Sequence, residues 1–403
     1  MRSRNSYDVV VVGAGMMGAA AAKYLAVDGM RTLLVGPEEG NAAGIHGSHH
    51  DQARITRYSG PDLTWSRLAA RSMQRFAGIE LESGIRFHQP CGHLRCDLPT
   101  VHPASHVDAV CSVLAHMPSS ATRIHRDEVV RRFPYLTFAS DSVFHYEPGP
   151  AGLINPRNLV RAQCSIGEQH GMTLLRDVVT GISRKAGHFE VRVGNDRIKA
   201  ANVLTAAGSY TSMMDLVPSP LAFSVRPETV LLVRVDGHEA GKWEGMPGII
   251  WHFDDHPEVP YAYILPPVRY DDGNMYIKIG ADHDKDVAAN SVSSFDTYMR
   301  GNGSHRTTEL LRDLLLKLIP SLRGAPYHGK PCMLTYTSTG YPYIDEVSEN
   351  WFVAAGGCGA SAKSSDTIGY LASRMILRTP WPEAFDLSLF RVGSGGPVPK
   401  TTL

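Results

Sequence analysis

Three glycines near the start of the chain have the spacing of a phosphate-binding turn. Gly13, Gly15 and Gly18 form the pattern G-x-G-x-x-G directly after an apolar run at residues 7–12. Glycines at these places let the backbone turn sharply and approach a pyrophosphate, whose negative charge is favoured at the N-terminus of a following helix. The pattern alone is a weak signal, and it predicts a dinucleotide site only where a strand precedes it and a helix follows it.

The residues around the glycines predict that β-α-β arrangement. Residues 7–12 end in four consecutive valines without alternation, as in a strand buried on both faces of a parallel sheet. Residues 19–27 are rich in alanine and end before Asp28-Gly29, which predicts a helix. Residues 31–35 predict a second strand. The glycine turn therefore lies between the first strand and its helix, where a dinucleotide would bind.

An acidic residue about 20 positions after the glycines ordinarily binds the ribose of the dinucleotide. At the end of the second predicted strand that position is Gly36. Glu38 and Glu39 lie just beyond it and could reach the ribose. The acid is therefore either displaced to one of these residues or absent.

The composition is that of a globular chain without a strong overall charge. The 403 residues are 43% hydrophobic and 20% charged, and 40 basic side chains balance 40 acidic ones. We therefore expect about two domains, and neither nucleic acid nor an acidic membrane as a partner. The apolar stretch at residues 9–22 is interrupted by glycines and is shorter than the ~20 residues of a membrane span. The cysteines are too few and too irregular for a disulfide framework, which predicts a reducing, cytoplasmic compartment.

Both ends of the chain predict α/β structure, whereas the middle predicts a β-rich domain. Helices are predicted at 157–170, 307–319 and 366–377, and strands at 189–193, 197–205, 230–235, 261–265, 275–279 and 351–355. We expect a discontinuous nucleotide-binding domain made of residues 1–90, 150–220 and 330–392. The remaining residues form a second domain at 91–149 and 221–329 and a flexible tail at 393–403.

Several further motifs follow one another in a fixed order. They are G-A-G-M-M-G at 13–18, S-H-H-D-Q-A-R-I-T-R at 48–57, T-A-A-G at 205–208, Lys278 in its strand, P-C-M-L-T at 331–335, and G-G-C-G at 356–359 with K-S-S at 363–365. Together they resemble the sarcosine oxidase-like branch of the D-amino-acid oxidase superfamily of flavoproteins, over nearly the whole chain. The resemblance implies an α/β, Rossmann-like, discontinuous FAD-binding domain, a β-rich α+β substrate domain, and FAD as the cofactor.

The segment at 48–57 carries charged residues that the resemblance places at the flavin. Family members have a pattern like S-H-H-G-D-T-R-I-I-R here, and this chain keeps both histidines and both arginines while replacing G-D-T. The resemblance implies that His50 and Arg54 are catalytic residues beside the flavin ring on the substrate side. It also implies that Arg57 pairs with a substrate carboxylate in the bidentate geometry that guanidinium favours.

For the same segment, the resemblance also implies that Ser48 and His49 contact the cofactor. Two other interpretations remain open for it, namely a solvated basic loop and a metal cluster formed with His46. A matching set of acidic or cysteine ligands is not evident, and the short cluster Cys91 to Cys96 lacks the four ligands of a structural site. We therefore predict no metal.

Cys332 matches the cysteine through which the family links its flavin. A thiolate stabilised by basic neighbours would allow a thioether at a ring methyl group. The alternative is that Cys332 is only a small buried hydrophobic residue. Leu334 stands where the family often has a substrate-facing tyrosine, so the substrate need not be sarcosine itself.

Lys278 matches the family lysine that activates oxygen. An ammonium beside the flavin ring would stabilise the negative charge that develops on oxygen. The alternative is an outward-facing lysine on an edge strand. Asp282 replaces the histidine that is usual four residues later, so the neighbouring pocket is altered.

The glycine-rich segment near the end of the chain resembles the part of the family that covers the flavin. Gly357, Gly359 and Ser364 are implied cofactor contacts, and the N-terminus of the next helix would point at the flavin pyrimidine oxygen. With one gap, Lys363 aligns with a lysine that binds the substrate carboxylate, although Ala360 replaces the usual histidine. The alternative for Lys363 is an ordinary role in a loop before a helix.

These residues favour an FAD-dependent oxidase that acts on the C–N bond of a carboxylated secondary or cyclic amine. Cationic side chains would attract an anion at one site of a neutral protein, and they are His50, Arg54, Arg57, Lys278 and Lys363. Molecular oxygen would be the acceptor, and an imine and hydrogen peroxide the products. The alternatives are a dehydrogenase or demethylase that passes electrons to a partner protein, a non-catalytic flavin-binding subunit, and a nicotinamide enzyme. The last of these would leave Cys332 unexplained.

Overall fold

The computed structural model describes residues 6–98, 104–236, 241–253, 259–281 and 291–393. The strands are β1 (Ser6–Val12), β2 (Thr32–Val35), β3 (Arg54–Thr56), β4 (His88–Gln89), β5 (His93–Asp97), β6 (Thr122–Ile124), β7 (Val143–Glu147), β8 (Gly152–Ile154), β9 (Thr173–Leu175), β10 (Val179–Lys185), β11 (His188–Val193), β12 (Asp196–Thr205), β13 (Phe223–Val235), β14 (Gly248–His252), β15 (Tyr261–Arg269), β16 (Met275–Gly280), β17 (Tyr327–Thr337), β18 (Tyr343–Ser348) and β19 (Trp351–Ala355).

The α-helices are α1 (Met16–Val27), α2 (Leu63–Ser83), α3 (Ala104–Leu114), α4 (Arg126–Arg132), α5 (Pro156–Gln169), α6 (Tyr210–Met213), α7 (Val292–Met299), α8 (His305–Leu318) and α9 (Ser365–Ile376). Short 3-10 helices lie at Pro320–Leu322, Ala362–Ser364 and Leu387–Phe390. In the described ranges, no helix combines the length and the apolar composition that crossing a bilayer requires.

The first sheet has parallel strands at its centre. Its order is β10-β11-β12-β1-β2-β9, with β19 parallel to the end of β12 and β18 antiparallel to β19. In the register, Val12 pairs with both Val35 and Thr205, and Thr205 pairs with Val353. The carboxyl ends of β1, β2, β12 and β19 therefore meet at one edge, which is where open α/β sheets bind ligands.

Strand β1 is buried on both faces, as its unbroken run of valines predicts. Val9 and Val11 belong to the core formed with α1 and α9, whereas Val10 and Val12 pack on the other face in the core that includes Phe189. Each of the four valines is at most 3% exposed. Burial of this kind holds the glycine turn after Val12 in a fixed place.

The second sheet has one apolar face and one polar face. Its order is β17-β13-β16-β15-β14-β5-β7-β6, and its pairings are antiparallel except for the parallel pair of β14 and β5. Apolar residues of alternate positions, such as Leu94 and Ile277, pack against Leu311 and its neighbours on α8. The opposite face carries buried ionisable side chains, which include His93, Arg95, Asp97, Glu147, His252 and Lys278.

The predicted elements differ from the structure mainly at their ends, whereas several whole elements, among them α2 and α7, were not predicted. β15 continues to Arg269 through two prolines, with a register shift between Leu265 and Val268. A bulge of this kind accepts prolines, which cannot donate to a regular ladder. β17 places residues 327–337 in the second sheet, so the strands of that sheet extend past the expected boundary at 330. Asp282 and the tail after Gly393 lie outside the described residues.

A buried ion pair joins the two ends of the chain in the first domain. Lys23 on α1 and Asp366 on α9 lie 2.9 Å apart with 2% and 0% of their side chains exposed. Tyr24 and Gln163 also donate hydrogen bonds to this carboxylate, at 2.8 and 2.9 Å. Burial opposes ionisation of Asp366, but the charge of Lys23 and these hydrogen bonds outweigh it and lower the pKa of the carboxyl.

We expect Asp366→Asn to destabilise the protein strongly, because it leaves the buried Lys23 ammonium without its counter-charge. The loss in the free energy of unfolding should be about 3–5 kcal/mol. Glu128→Gln is the control, since Glu128 pairs with Arg132 at 3.3 Å on the surface of α4, where such pairs contribute about 0–1 kcal/mol. Urea unfolding of both variants measures the difference. Equal, small losses would show that the buried pair does not hold α1 against α9.

Candidate functional site

An elongated cavity lies at the carboxyl edge of the first sheet. It encloses about 1520 Å³, including the space at its open mouth. Its walls come from the glycine turn, residues 45–50, residues 206–210, residues 332–335 and residues 354–362. The cavity therefore runs from the start of α1 to β17 of the second sheet, and it is bounded by both sheets.

The glycine turn closes one end of the cavity. Gly13 has a φ of +110°, and a Cβ there would lie 2.4 Å from the carbonyl oxygen of Ala206. Gly15 precedes α1 and no side chain caps this helix. The first N–H groups of α1 therefore face the cavity, and they favour a negatively charged group. Gly18 lies in the first turn of α1, so the structure places all three predicted glycines together.

The position at the end of β2 has no room for the expected acidic side chain. Gly36 packs on the glycine turn so closely that a Cβ would lie 2.5 Å from the backbone nitrogen of Ala14. Glu39 forms a bidentate ion pair with Arg157 at 2.8 and 2.5 Å, and neither Glu38 nor Glu39 is among the cavity-lining residues. In this arrangement no glutamate occupies the usual ribose position.

The predicted histidines line the cavity, together with Ser48. His49 Nδ1 is 3.8 Å from where a Cβ of Gly15 would lie, so this ring is beside the start of α1. Burial is the main cause that lowers the pKa of His49 to about 3 and that of His50 to about 4. The lowered pKa values favour the neutral form of both rings, which argues against the expectation that His50 adds positive charge to the site. The Nδ1 atom of His50 accepts a hydrogen bond from the Gly47 N–H at 3.2 Å, which places the ring proton on Nε2.

Arg54 and Cys332 meet at the other end of the cavity. The Nη2 atom of Arg54 is 3.8 Å from the Cys332 sulfur, and both residues line the cavity. The same nitrogen donates to the Ser48 carbonyl at 2.9 Å. The structure therefore brings together residues that are 278 positions apart in the sequence.

Lys278 is fully buried on β16. This strand lies between β13 and β15, so the alternative of an outward-facing lysine on an edge strand is excluded. Its Nζ donates to the Asp51 carboxylate at 2.8 Å and to the Ala53 carbonyl at 2.5 Å. Burial, followed by the nearby charges of Arg54 and Lys330, lowers the pKa of Lys278 well below its ordinary value.

Asp51 is a site residue that the sequence reasoning missed. Besides Lys278, its carboxylate accepts hydrogen bonds from Arg54, from Lys330 at 3.3 Å and from the Tyr270 hydroxyl at 3.0 Å. The available signal was the aspartate at a position where the resembling family pattern has glycine. The family pattern has its acid one position later, so this chain also carries one acid between the histidines and the arginines, which points to a charge partner rather than to a neutral spacer.

Arg57 and Lys363 form a second cationic group. Arg57 makes no hydrogen bond or ion pair with any residue that the structure describes, and its Nε is buried. Lys363 donates to the Ala360 carbonyl at 3.1 Å, without a carboxylate at ion-pair distance in the described part of the chain. Burial lowers the pKa of Arg57 to about 10 and that of Lys363 to about 7, and each pKa is further lowered by a neighbouring charge, that of Arg95 and of Arg57 respectively.

The polar face of the second sheet reaches this cationic group. Glu147 accepts hydrogen bonds from the backbone nitrogens of Tyr58 and Ser59 at 2.7 and 3.0 Å, which fixes the chain just after Arg57. His93, Arg95 and Asp97 lie on the same face of β5. Sequence reasoning considered this segment only for metal binding, although its strict alternation of polar and apolar residues indicated a strand with one polar face. Within the described ranges, no group of three or more histidine, cysteine or acidic residues is placed to hold a metal ion.

The predicted residues after β19 complete the cavity wall. Gly357 and Gly359 line it, and Gly359 has a φ of +71° that favours glycine. Ser364 is fully buried before α9, and its hydroxyl has no hydrogen-bond partner among the described residues. The Thr367 N–H of α9 donates to the Ser72 hydroxyl at 3.0 Å, whereas the side chain of the N-cap residue Ser364 makes no capping bond, so the start of this helix keeps N–H groups for a polar partner.

Comparisons with known proteins agree with this arrangement. The sequence model of the family described as FAD dependent oxidoreductase matches residues 8–375. Monomeric sarcosine oxidase of Streptomyces avermitilis is 32% identical over 343 residues, 82% of this chain and 83% of that protein. Monomeric sarcosine oxidase of a Bacillus species is 26% identical over 395 residues, 96% of this chain and 95% of that protein.

A solved structure shows the same fold. NikD, an unusual amino acid oxidase essential for nikkomycin biosynthesis, has a TM-score of 0.77 at 19% identity, with 96% of this chain and 98% of NikD covered. The fold is thus a Rossmann-like α/β FAD-binding domain with a sheet-rich substrate domain, as the sequence predicts. The chain belongs to the FAD dependent oxidoreductase family, and it is an enzyme of the sarcosine oxidase and amino acid oxidase type.

Proposed function

We propose that this enzyme oxidises the C–N bond of a carboxylated secondary or cyclic amine with FAD and molecular oxygen, giving an imine and hydrogen peroxide. The observation that carries the proposal is the pair Arg57 and Lys363, cations that lack a carboxylate partner among the described residues. Lys363 is buried, and Arg57 is partly exposed with a buried Nε. They lie close in sequence to Arg54 and Ala362, which line the cavity. A buried charge without a partner is costly, and a substrate carboxylate would supply the missing counter-charge.

The residues around the cavity fit FAD. The uncapped start of α1 suits the pyrophosphate, and Ser48, His49, Gly357 and Gly359 line the walls along which the rest of the cofactor would lie. The unpartnered Ser364 hydroxyl and the N-terminus of α9 would face its polar edge. When bound, the flavin would accept a hydride equivalent from the carbon next to the amine nitrogen, which loses its proton as the C=N bond forms, and would pass the electrons on to an acceptor.

The chain's own residues bind and orient the amine. Arg57 has a planar guanidinium that can hold a carboxylate with two parallel hydrogen bonds, and Lys363 adds a second positive charge from the opposite segment. Nearby positive charges also disfavour an ammonium, so they favour the neutral amine that can be oxidised. The neutral ring of His50 is available for a hydrogen bond without adding charge to the site.

We also propose that the flavin is covalently attached to Cys332. The position of Cys332 in the cavity wall, 3.8 Å from the Arg54 guanidinium, supports this, because it places the sulfur against the space that the flavin would fill. The six cysteines are unpaired, and this supports the cytoplasmic location that we propose for the enzyme.

Oxygen as the electron acceptor is supported by Lys278. Its amine shares the Asp51 carboxylate with Arg54, which lines the cavity beside Cys332, and positive charge there would stabilise the anion formed as oxygen is reduced. A dehydrogenase that delivers electrons to a partner protein would not need this charge.

The first test concerns the carboxylate. Arg57→Ala should weaken the oxidation of carboxylated amines by about 30-fold to several thousand-fold, since removal of one partner of a buried charged pair costs ~2–5 kcal/mol. Arg57→Lys, which keeps the charge and loses the bidentate geometry, should oxidise these amines at a rate between those of wild-type protein and Arg57→Ala. Loss of flavin absorbance without oxygen is measured for N-methyl amino acids, cyclic imino acids and their decarboxylated analogues. If wild-type protein reacts equally well with decarboxylated amines, the anionic-substrate proposal is wrong.

The second test concerns the flavin linkage. The flavin should stay with the polypeptide after acid precipitation, and Cys332→Ala should release it because the thioether sulfur is gone. Cys164→Ala, which removes another buried thiol far from the cavity, should retain it. Intact-chain mass spectrometry decides the matter, and an unmodified mass in a yellow wild-type preparation would contradict covalent attachment.

The third test separates the oxidase from the dehydrogenase. Lys278→Met should keep most of the rate of flavin reduction by substrate, whereas re-oxidation by air should slow by at least about 100-fold, the scale for loss of one charge-stabilising donor. Lys199→Met, an exposed lysine of β12, should change neither rate. Stopped-flow absorbance follows each half-reaction. Normal re-oxidation in Lys278→Met would favour the dehydrogenase.

A further inference from the structure

The Asp51 carboxylate is shared among side chains from separate parts of the fold. One oxygen accepts from Arg54 of β3 and, at 2.8 Å, from Lys278 of β16. The other accepts from Lys330 of β17 at 3.3 Å and from Tyr270 of the β15–β16 turn at 3.0 Å. The backbone nitrogen of Gln52 also donates to it, at 2.8 Å. Asp51 is 3% exposed, so these bonds are made away from bulk water.

Apart from Asp51, the groups in contact with Lys278 are positively charged or neutral. Arg54 and Lys330 are the nearby positive charges, and the Cys332 thiol also faces this lysine. In the register, Lys278 pairs with Leu232 of β13 and Leu265 of β15, which carry no charge.

More distant groups complete this environment. Burial raises the pKa of both Tyr263 and Tyr270, so these phenols are neutral. Glu228 of β13 pairs with Cys332 in the register and faces Tyr263. Asp51 is thus the carboxylate that is hydrogen-bonded to the Lys278 amine.

We propose that Asp51 is a positioning residue, which fixes Lys278 beside the cavity-lining Arg54 and keeps the Lys278 amine protonated. The geometric part of this proposal stands on the contacts of Asp51. The consequence for oxygen rests on the function proposed above for Lys278.

The physical reason is the cost of a buried positive charge. Burial together with Arg54 and Lys330 favours loss of the Lys278 proton, and an opposite charge 2.8 Å away favours its retention. Removing the charge of Asp51 while keeping its shape should therefore lower the pH at which Lys278 becomes neutral. A neutral amine cannot stabilise the anion formed from oxygen as an ammonium does.

The first experiment measures re-oxidation of the reduced holoenzyme by oxygen as a function of pH. In Asp51→Asn, the pH at which the re-oxidation rate falls should be about one to three units lower than in the wild-type protein. Asp51→Glu, which retains the charge, should stay near the wild-type profile. Asp271→Asn is the control, because Asp271 follows Tyr270 in the same turn but its side chain is 72% exposed. An unchanged profile in Asp51→Asn would overturn the proposal.

The second experiment does not depend on activity. Urea midpoints are measured for Asp51→Asn, Lys278→Met and the double variant, all as holoenzymes. If the two charges compensate each other, the double variant should lose less stability than the sum of the single losses. Additive losses would overturn the proposal, and so would a double variant that fails to fold when Asp51→Asn alone also fails.

The two experiments separate this proposal from the oxidase proposal. Coupled stabilities with normal re-oxidation in Lys278→Met would leave Asp51 as the partner of Lys278 and would refute the oxygen-activating role. Slow re-oxidation in Lys278→Met with additive stabilities would retain that role and refute the one of Asp51.

Discussion

Burial of positive charge between two sheets is the constraint on which this structure depends. The cofactor cavity opens at the edge of the first sheet. The polar face of the second sheet covers the chain just after Arg57, where Glu147 accepts hydrogen bonds from the backbone. Lys278 is fully buried there and Lys363 is 8% exposed. Each buried cation needs either an internal anion or a ligand. Asp51 is the carboxylate hydrogen-bonded to Lys278. Arg57 and Lys363 have no carboxylate at ion-pair distance among the described residues, and we propose that a ligand supplies their counter-charge.

The second sheet can hold buried charged side chains because its two faces are chemically different. Its apolar face packs on α8 through Leu311 and Leu315, so the sheet is stabilised without help from the other side. The polar face is then free to carry groups such as His93 and Glu147 at fixed positions on rigid strands. Functional groups on strands are held more accurately than groups on loops. The proline-containing bulge in β15 lies beside Lys278 in the register and locally interrupts this regular ladder.

The sequence predicts local features well and long-range charge relations poorly. The valine run and the spacing of Gly13, Gly15 and Gly18 are sufficient for the β-α-β unit, because strand, turn and helix are neighbours in the chain. The meeting of Arg54 with Cys332 follows only from resemblance, since 278 positions separate them. The neutrality of His50 and the role of Asp51 depend on burial and on partners from distant strands. Neither property can be read from composition or periodicity.

The ion pair of Lys23 and Asp366 has a consequence for the order in which the protein can be completed during synthesis. The carboxylate that balances Lys23 on α1 is synthesised 343 residues after that lysine. Strand β19, which extends the same sheet beside β12, is also synthesised long after β1. At about 5–20 residues per second, the interval between Lys23 and Asp366 lasts roughly 17–70 s. The cofactor-binding domain therefore reaches its native packing only after α9 has been synthesised, and until then the nascent chain has an incompletely buried α1.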